Sequence, residues 1–230
     1  HVLIDADYSQ IELRLLAHIA GDETMINAFL SGEDIHASTA SAVFGVPLSA
    51  VTPELRKRAK AVNFGIVYGI GDYSLSVDLG ITKKQAGEYI ANYLARFHAI
   101  DSYLKDTVRM AYDHGFVETI FGRRRYIPEL KASNKMMRSF GERVAMNSPI
   151  QGSAADIIKI AMVNTRNALA AANIDARLIL QVHDELVVEA ARTCADEAAM
   201  ILRREMENAV SLSVPLSVDL TVGDTWYENK

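Results

Sequence analysis

The period of the apolar positions changes repeatedly along the chain, and each change marks an element. Val2-Leu3-Ile4-Asp5-Ala6-Asp7-Tyr8 is a short apolar run ending in acids, which reads as a buried strand. Ser9 can N-cap a following helix, with Glu12 completing a capping box. Leu13, Leu16, Ala17 and Ala20 supply its apolar face, and Gly21-Asp22 stops it. Residues 22–44 read as a helical pair around Gly32-Glu33-Asp34, followed by a loop holding Pro47 and Pro53. Residues 54–68 are strongly helical and end at Gly69 and Gly71. Further helices are expected over 82–97 and 101–114. Residues 115–119 and 125–127 flank Gly122-Arg123-Arg124 as a hairpin.

A helix over 134–146 reaches Pro149, and a second is expected over 154–172. Residues 176–182 and 186–189 read as strands joined by His183-Asp184-Glu185, before a helix over 194–209 and a closing strand over 215–222. Helices fill the middle and strands lie at both ends. The expectation is therefore an α+β fold: a small sheet built from sequence-distant pieces and a helical insertion, without internal repeats.

Composition narrows the class. Of 230 residues, half are apolar and 23% charged, which excludes a disordered or collagen-like chain. No apolar run reaches the ~18 residues of a membrane-spanning helix. The one cysteine, Cys194, has no partner for an internal disulfide and suits a reducing compartment. The chain opens on His1, directly before a strand and without a signal-peptide pattern, so it reads as a fragment that starts inside a domain. A net charge of −5 argues against a polyanion partner, but its distribution argues otherwise. Residues 118–143 sum to +4 and residues 184–230 to −6. Screening limits useful charge to about 10 Å, so a local basic lining suffices to bind phosphates.

Three sets of residues could carry chemistry. Asp7 lies where a strand gives way to a helix, and Asp184 in a tight link between strands. Each position puts a carboxylate at a sheet edge, and neighbouring strands would bring the two together around a cation. Oxygen donors of this kind suit Mg²⁺. Either acid alone also fits a helix start or a charged turn. Arg56, Lys60, Phe64 and Tyr68 recur every fourth residue, hence along one helix face, two cations before two rings. That order suits a nucleoside triphosphate, although an ordinary amphipathic helix has the same spacing. Cations near a helix N-terminus are disfavoured by its dipole unless an anion offsets them. Arg123-Arg124-Arg125, Arg138 and Arg143, interleaved with Phe121 and Tyr126, could bind backbone phosphates or form a solvated hairpin tip. Gln151 could reach base edges or merely cap a helix. There is no Cys/His metal pattern, no dinucleotide fingerprint and no serine-nucleophile elbow.

These residues carry a resemblance to family A DNA polymerases, the bacterial DNA polymerase I family. Residues 7–14 (Asp7-Tyr8-Ser9-Gln10-Ile11-Glu12-Leu13-Arg14) resemble the family's motif A. Residues 56–69, from Arg56 through Lys60, Phe64 and Tyr68 to Gly69, resemble motif B, the O helix. Gln181-Val182-His183-Asp184-Glu185 resembles motif C. The order and spacing match, and the similarity covers essentially the whole chain.

The resemblance implies a right-hand polymerase without its thumb. Residues 1–14 and 139–230 would form the palm, and 15–138 the fingers, with the O helix at about 54–68. It implies template-directed DNA synthesis in replication and repair, with dNTPs and a DNA primer-template as partners. Asp7, Asp184 and the Tyr8 carbonyl would hold two Mg²⁺ ions, with Glu185 in support. Gln10, His36, Arg56 and Lys60 would bind the incoming nucleotide, and Lys60 could give a proton to pyrophosphate. Phe64 would stack near sugar and base, a phenylalanine there going with poor acceptance of dideoxynucleotides. Tyr68 would guard the template-base site, and Glu12 would block a ribose 2′-hydroxyl. Tyr73 would stack on the template, while Arg123, Arg124, Arg143, Asn147, Gln151 and His183 would touch DNA. The fragment itself should extend primers poorly, and apolar surface bared by truncation could pair two copies. A bacterial cytoplasm is the implied location.

Rival classes remain distinguishable. A DNA- or nucleotide-binding module would not depend on Asp7 or Asp184. A single-subunit RNA polymerase would need room for the 2′-hydroxyl, against Glu12. A metal-dependent phosphohydrolase leaves the Arg/Lys/Phe/Tyr ladder without a purpose.

Overall fold

The computed structural model describes residues 1–229. They form strand β1 (Val2–Tyr8), helices α1 (Ile11–Ala20), α2 (Glu23–Leu30), α3 (Ile35–Phe44), α4 (Pro53–Val67), α5 (Asp72–Leu79), α6 (Lys83–Arg96) and α7 (His98–His114), and the hairpin β2 (Phe116–Glu118) and β3 (Arg124–Tyr126). The long α8 (Lys135–Ala172), β4 (Ala176–Val182), β5 (Glu185–Ala190), α9 (Ala195–Glu207) and β6 (Val218–Gly223) complete the chain, with short 3-10 turns between. The result is the expected α+β mixture. It divides into two compact units, residues 1–11 with 153–230, and residues 12–152.

The first unit is built on an antiparallel sheet in the order β4-β5-β1-β6. Strand β1 is thus an inner strand, which is why Val2 to Ala6 read as a nearly continuous apolar run. Ile4, Ala6, Leu186 and Val188 are fully buried, and α9 contributes Ala198, Ile201, Leu202 and Met206 to the same core. At the end of β1 the buried Tyr8 hydroxyl donates to the Met206 carbonyl at 2.6 Å. That bond ties the strand end to the last turn of α9.

The second unit is helical apart from the β2-β3 hairpin. Asp22 caps α2 by accepting from the Met25 amide at 2.9 Å and also accepts from the Ala99 amide at 3.2 Å, so one carboxylate serves two helix starts. Tyr93 and Phe97, with ring centroids 4.9 Å apart, are buried, as are Leu75 and Ile100. Thr82 and Gln85 form the capping box of α6.

Several expectations need correction. The predicted pair of helices over 134–146 and 154–172 is one helix, α8, that runs through Pro149. Proline removes one hydrogen bond and crowds the preceding turn. Yet burial recurs every fourth residue at Gly141, Ala145, Pro149, Ser153 and Ile157, so tertiary packing holds that turn helical. The first helix begins at Ile11 rather than behind a Ser9 cap, because Gln10 adopts φ 56° between them. Glu185 belongs to β5 and not to the link before it. The helix α5 escaped a periodicity reading because it is eight residues long and bounded by Gly71 and Gly80.

Gly69 ends α4 with φ +65°, and a Cβ there would lie 2.5 Å from the Met146 methyl carbon and 3.2 Å from Arg143 Cγ. Gly69→Ala should therefore lower the unfolding free energy by about 1–3 kcal/mol, from left-handed strain plus crowding. Urea denaturation measures it. An unchanged midpoint would mean that this turn relaxes without cost.

Candidate active site

An acidic edge forms in the first unit. The antiparallel register sets Asp7 of β1 opposite Glu185 of β5 on one side and Asp219 of β6 on the other. The Tyr8 amide donates to the Asp184 carbonyl at 3.2 Å, which brings the turn residue Asp184 beside the end of β1. Four acids therefore meet within one register step, and like charges directly across strands are destabilising. Two features moderate the repulsion. Asp7 and Asp219 are exposed, while the buried Glu185 accepts a hydrogen bond from Trp226 Nε1 at 2.5 Å. His183 has φ 51°, and its carbonyl accepts from the Gln181 side chain at 2.7 Å, so the turn that presents Asp184 is held from within.

The donor chemistry fits a hard divalent cation. The Asp7 and Asp184 carboxylates and the Tyr8 carbonyl are oxygen donors, and Mg²⁺ uses few of these while keeping waters and substrate phosphates. Among the described residues no three His, Cys, Asp or Glu side chains gather closely enough to hold a metal by themselves. The Tyr8 ring is taken up elsewhere. Burial, with the Glu207 charge adding, pushes its hydroxyl well above the ordinary tyrosine range.

In the second unit, α4 sorts its residues by face. Ala59, Val62, Asn63, Ile66 and Val67 are buried, whereas Arg56, Lys60 and Tyr68 are exposed and Phe64 is half-buried. Thr52 caps the helix and Pro53 occupies its first turn. Lys60 Nζ lies 5.8 Å from the Phe64 ring centroid. Tyr68, the helix C-cap, donates from its hydroxyl to the Glu12 carboxylate at 3.1 and 3.3 Å. Phe64, Tyr68, Ser74, Asp78 and Arg143 help line a cavity of about 510 Å³.

Arg56 Nε lies 2.5 Å from Asp34 Oδ2. Burial would raise the Asp34 carboxyl, but the Arg56 hydrogen bond and the amides of Ala37 and His36 outweigh it and hold it below the usual carboxylate range. His36, expected to meet the nucleotide, is only 2% exposed and sits 6.1 Å from the Phe64 ring. Its Nδ1 is 2.9 Å from Asn63 Nδ2.

Of the expected DNA-contacting residues, Arg123, Arg124, Asn147 and Gln151 share a second cavity of about 270 Å³ with Glu118 and Thr119. Arg123 donates to the Gly152 carbonyl at 2.8 Å, and Arg124 to Glu118 at 2.7 Å while lying over the Phe116 ring. Asn147 donates to the Val67 carbonyl at 3.4 Å. Arg143 lies instead over Phe140 and in the Phe64 cavity, and Tyr73 stands exposed on α5. The sequence reading missed Asp34, Thr39, Asn63, Asp219 and Trp226. A polar Asn63 on the buried face of an amphipathic helix was the one available signal.

Comparison with known proteins places the chain in a family. The model of DNA polymerase family A matches residues 1–228. The chain is 55% identical over 230 residues to a DNA polymerase I of Caldicellulosiruptor bescii and 52% identical over 229 residues to that of Bacillus subtilis. In both cases the whole chain aligns, and it spans about a quarter of the relative's length, 27% and 26%. The POL domain of Pol1 from M. smegmatis, solved in complex with DNA primer-template and dNTP, superposes with a TM-score of 0.94 at 46% identity. That match covers 98% of this chain and 40% of the other.

Burial, then the Arg56 and Lys60 charges, opposed by Asp34, hold the His36 imidazole at a pKa of about 4 rather than the ordinary 6.5. The unfolded chain thus takes up a proton that the native state refuses. Stability should fall as pH drops from about 6.5 to about 4, by at most about 1.4 kcal/mol per pH unit from this group. His36→Gln should remove one proton's worth of that slope in urea titrations at several pH values. An unaltered slope would show that His36 titrates normally in the native state.

Proposed function

The chain belongs to DNA polymerase family A, and from that premise we propose that it carries the nucleotidyl-transfer machinery of a DNA-directed DNA polymerase. The observation that carries the reading is the β5-β1-β6 register, which gathers Asp7 and Asp184 at one sheet edge. Residues 1–14 and 139–230 act as palm and 15–138 as fingers. The ligands are dNTPs and a DNA primer-template, and the setting is replication and repair in a bacterial cytoplasm. The Pol1 domain solved with both ligands supports this assignment.

Family A DNA polymerases depend on divalent metal. Asp7, Asp184 and the Tyr8 carbonyl would hold Mg²⁺, as two ions, and Glu185, anchored by Trp226, supports that edge. When bound, the metal favours the ionised primer 3′-hydroxyl and offsets the charge on the leaving pyrophosphate. The 3′-oxygen attacks the α-phosphorus, the bond from that phosphorus to the bridging oxygen breaks, and Lys60 supplies a proton to pyrophosphate. Arg56, His36 and Gln10 hold the nucleotide, and Phe64 stacks on its sugar and base. Closing of the Arg56–Tyr68 helix on a correct pair provides induced fit.

Glu12, braced by the Tyr68 hydroxyl, fills the room a ribose 2′-hydroxyl would need and so favours DNA over RNA synthesis. Tyr73 stacks on the template, and Arg123, Arg124, Arg143, Asn147, Gln151 and His183 contact DNA. The 230 residues taken alone extend a primer weakly or not at all, since they amount to about a quarter of the relatives' length.

Single-nucleotide primer extension with Mg²⁺ in the intact protein tests the reading. Asp7→Ala or Asp184→Ala should each reduce the rate by about a thousandfold or more, the scale of losing electrostatic stabilisation of the transition state. Extension that survives both replacements would overturn the assignment. Glu12→Ala should raise rNTP use relative to dNTP use by about tenfold or more, as expected when a steric barrier is removed. An unchanged ratio would remove Glu12 from sugar selection and reopen the RNA polymerase reading.

A further inference from the structure

Behind the ladder on α4 runs a buried polar chain of which the catalytic reading uses only His36. Thr39 and Asn63 have no exposed surface, and His36 has 2%. Thr39 Oγ1 donates to Asn63 Oδ1 at 3.1 Å, and Asn63 Nδ2 faces His36 Nδ1 at 2.9 Å. His36 and Thr39 are three residues apart on α3 and therefore share a face, while Asn63 directly precedes Phe64 on α4. A buried amide is costly unless both its ends are satisfied, and the Asn63 amide, with its oxygen towards Thr39 and its nitrogen towards His36, gives the chain a direction. With its oxygen accepting from Thr39, Asn63 presents N–H to the ring, and only an unprotonated Nδ1 can accept it. The imidazole proton then resides on Nε2, the nitrogen left for a ligand.

The surrounding charges agree with a neutral ring. Arg56 and Lys60 act on it from α4, and Asp34 from the N-cap of α3. With two cations already on this face, a third positive charge would be repelled before any nucleotide arrived. A neutral donor binds a phosphate oxygen without that repulsion, and its capacity does not vary with pH in the neutral range.

We propose that Asn63, backed by Thr39, is a positioning residue that fixes His36 as a neutral imidazole with its proton on Nε2, poised to donate to a phosphate oxygen of the incoming nucleoside triphosphate. The identity of that ligand rests on the polymerase reading, whereas the tautomer does not.

Ring ¹⁵N NMR of the intact protein, assigned with His36→Gln, reads the tautomer directly and needs no disruptive variant. Between about pH 6 and pH 8, the range in which an ordinary histidine titrates, Nε2 should stay protonated and Nδ1 bare. An Nδ1–H tautomer, or an imidazolium at neutral pH, would overturn the proposal. The kinetic arm uses Asn63→Asp, which keeps the shape and loses the donor. At about pH 8 its dNTP KM should rise about tenfold with kcat little changed, the scale of losing one charge-assisted hydrogen bond. The ratio to wild type should shrink towards about pH 6, because the introduced carboxylate favours an imidazolium that again carries a proton on Nε2. An unaltered KM, or a rise of the same size at every pH as a purely structural defect would give, counts against it. Should Asn63→Asp fail to fold, Thr39→Val frees the amide to turn over and should give a mixed tautomer in the same spectrum; a single Nε2–H form would overturn the role of Thr39. A wild-type protein that extends no primer would instead sink the polymerase reading, with the tautomer still decided by NMR.

Discussion

The structure of the first unit depends on one electrostatic conflict, that its central strand ends in a row of carboxylates. Glu185, Asp7 and Asp219 stand opposite one another across β5, β1 and β6, with Asp184 one step away. A one-residue slip would turn Ile4 and Ala6 out of their fully buried positions and move the exposed Asp7 towards the interior, so the register cannot relieve this. The hydrophobic interior therefore enforces an arrangement that local electrostatics opposes. Such a site is stable only where something offsets the charge. For Glu185 that is burial against the Trp226 indole N–H. Asp7 and Asp219 are exposed, where solvent screens their charge.

The helical unit solves a different problem, keeping polar groups inside by giving them partners. Asp22 satisfies two helix starts, and Asn63 satisfies both Thr39 and His36. Each of these two side chains is shared between two partners, as the low-dielectric interior favours. The cations of α4 remain on its exposed face, so the helix separates a neutral hydrogen-bonded interior from a charged surface along a single cylinder.

Much of this was legible in the sequence because the relevant signals are local. The run from Val2 to Tyr8, the glycine stops and the four-residue ladder each reflect backbone period or turn chemistry. The Asp7–Asp184 pairing was legible only conditionally, since strand adjacency is a long-range property that composition does not encode. Pro149 misled for the same reason: its intrinsic cost is local, but the burial that overrides it is tertiary. Asp219, Trp226 and Thr39 were invisible because an acid in a strand, an aromatic near a chain end and a threonine in a helix are each ordinary. Only register and contact give them meaning.

Arg56 shows how the two kinds of constraint combine. It sits in the first turns of α4, where the helix dipole disfavours a cation, yet it is fixed by Asp34 through Nε. Asp34 in turn accepts from the His36 and Ala37 amides, so a rigid helix start, not a flexible side chain, determines where the guanidinium lies. A guanidinium has five N–H donors in a planar fork, and an Nε contact leaves the terminal nitrogens to define a second direction. The ion pair therefore orients the group without occupying its terminal nitrogens. The carboxylate that offsets the charge of Arg56 is also the one that fixes the direction of its guanidinium.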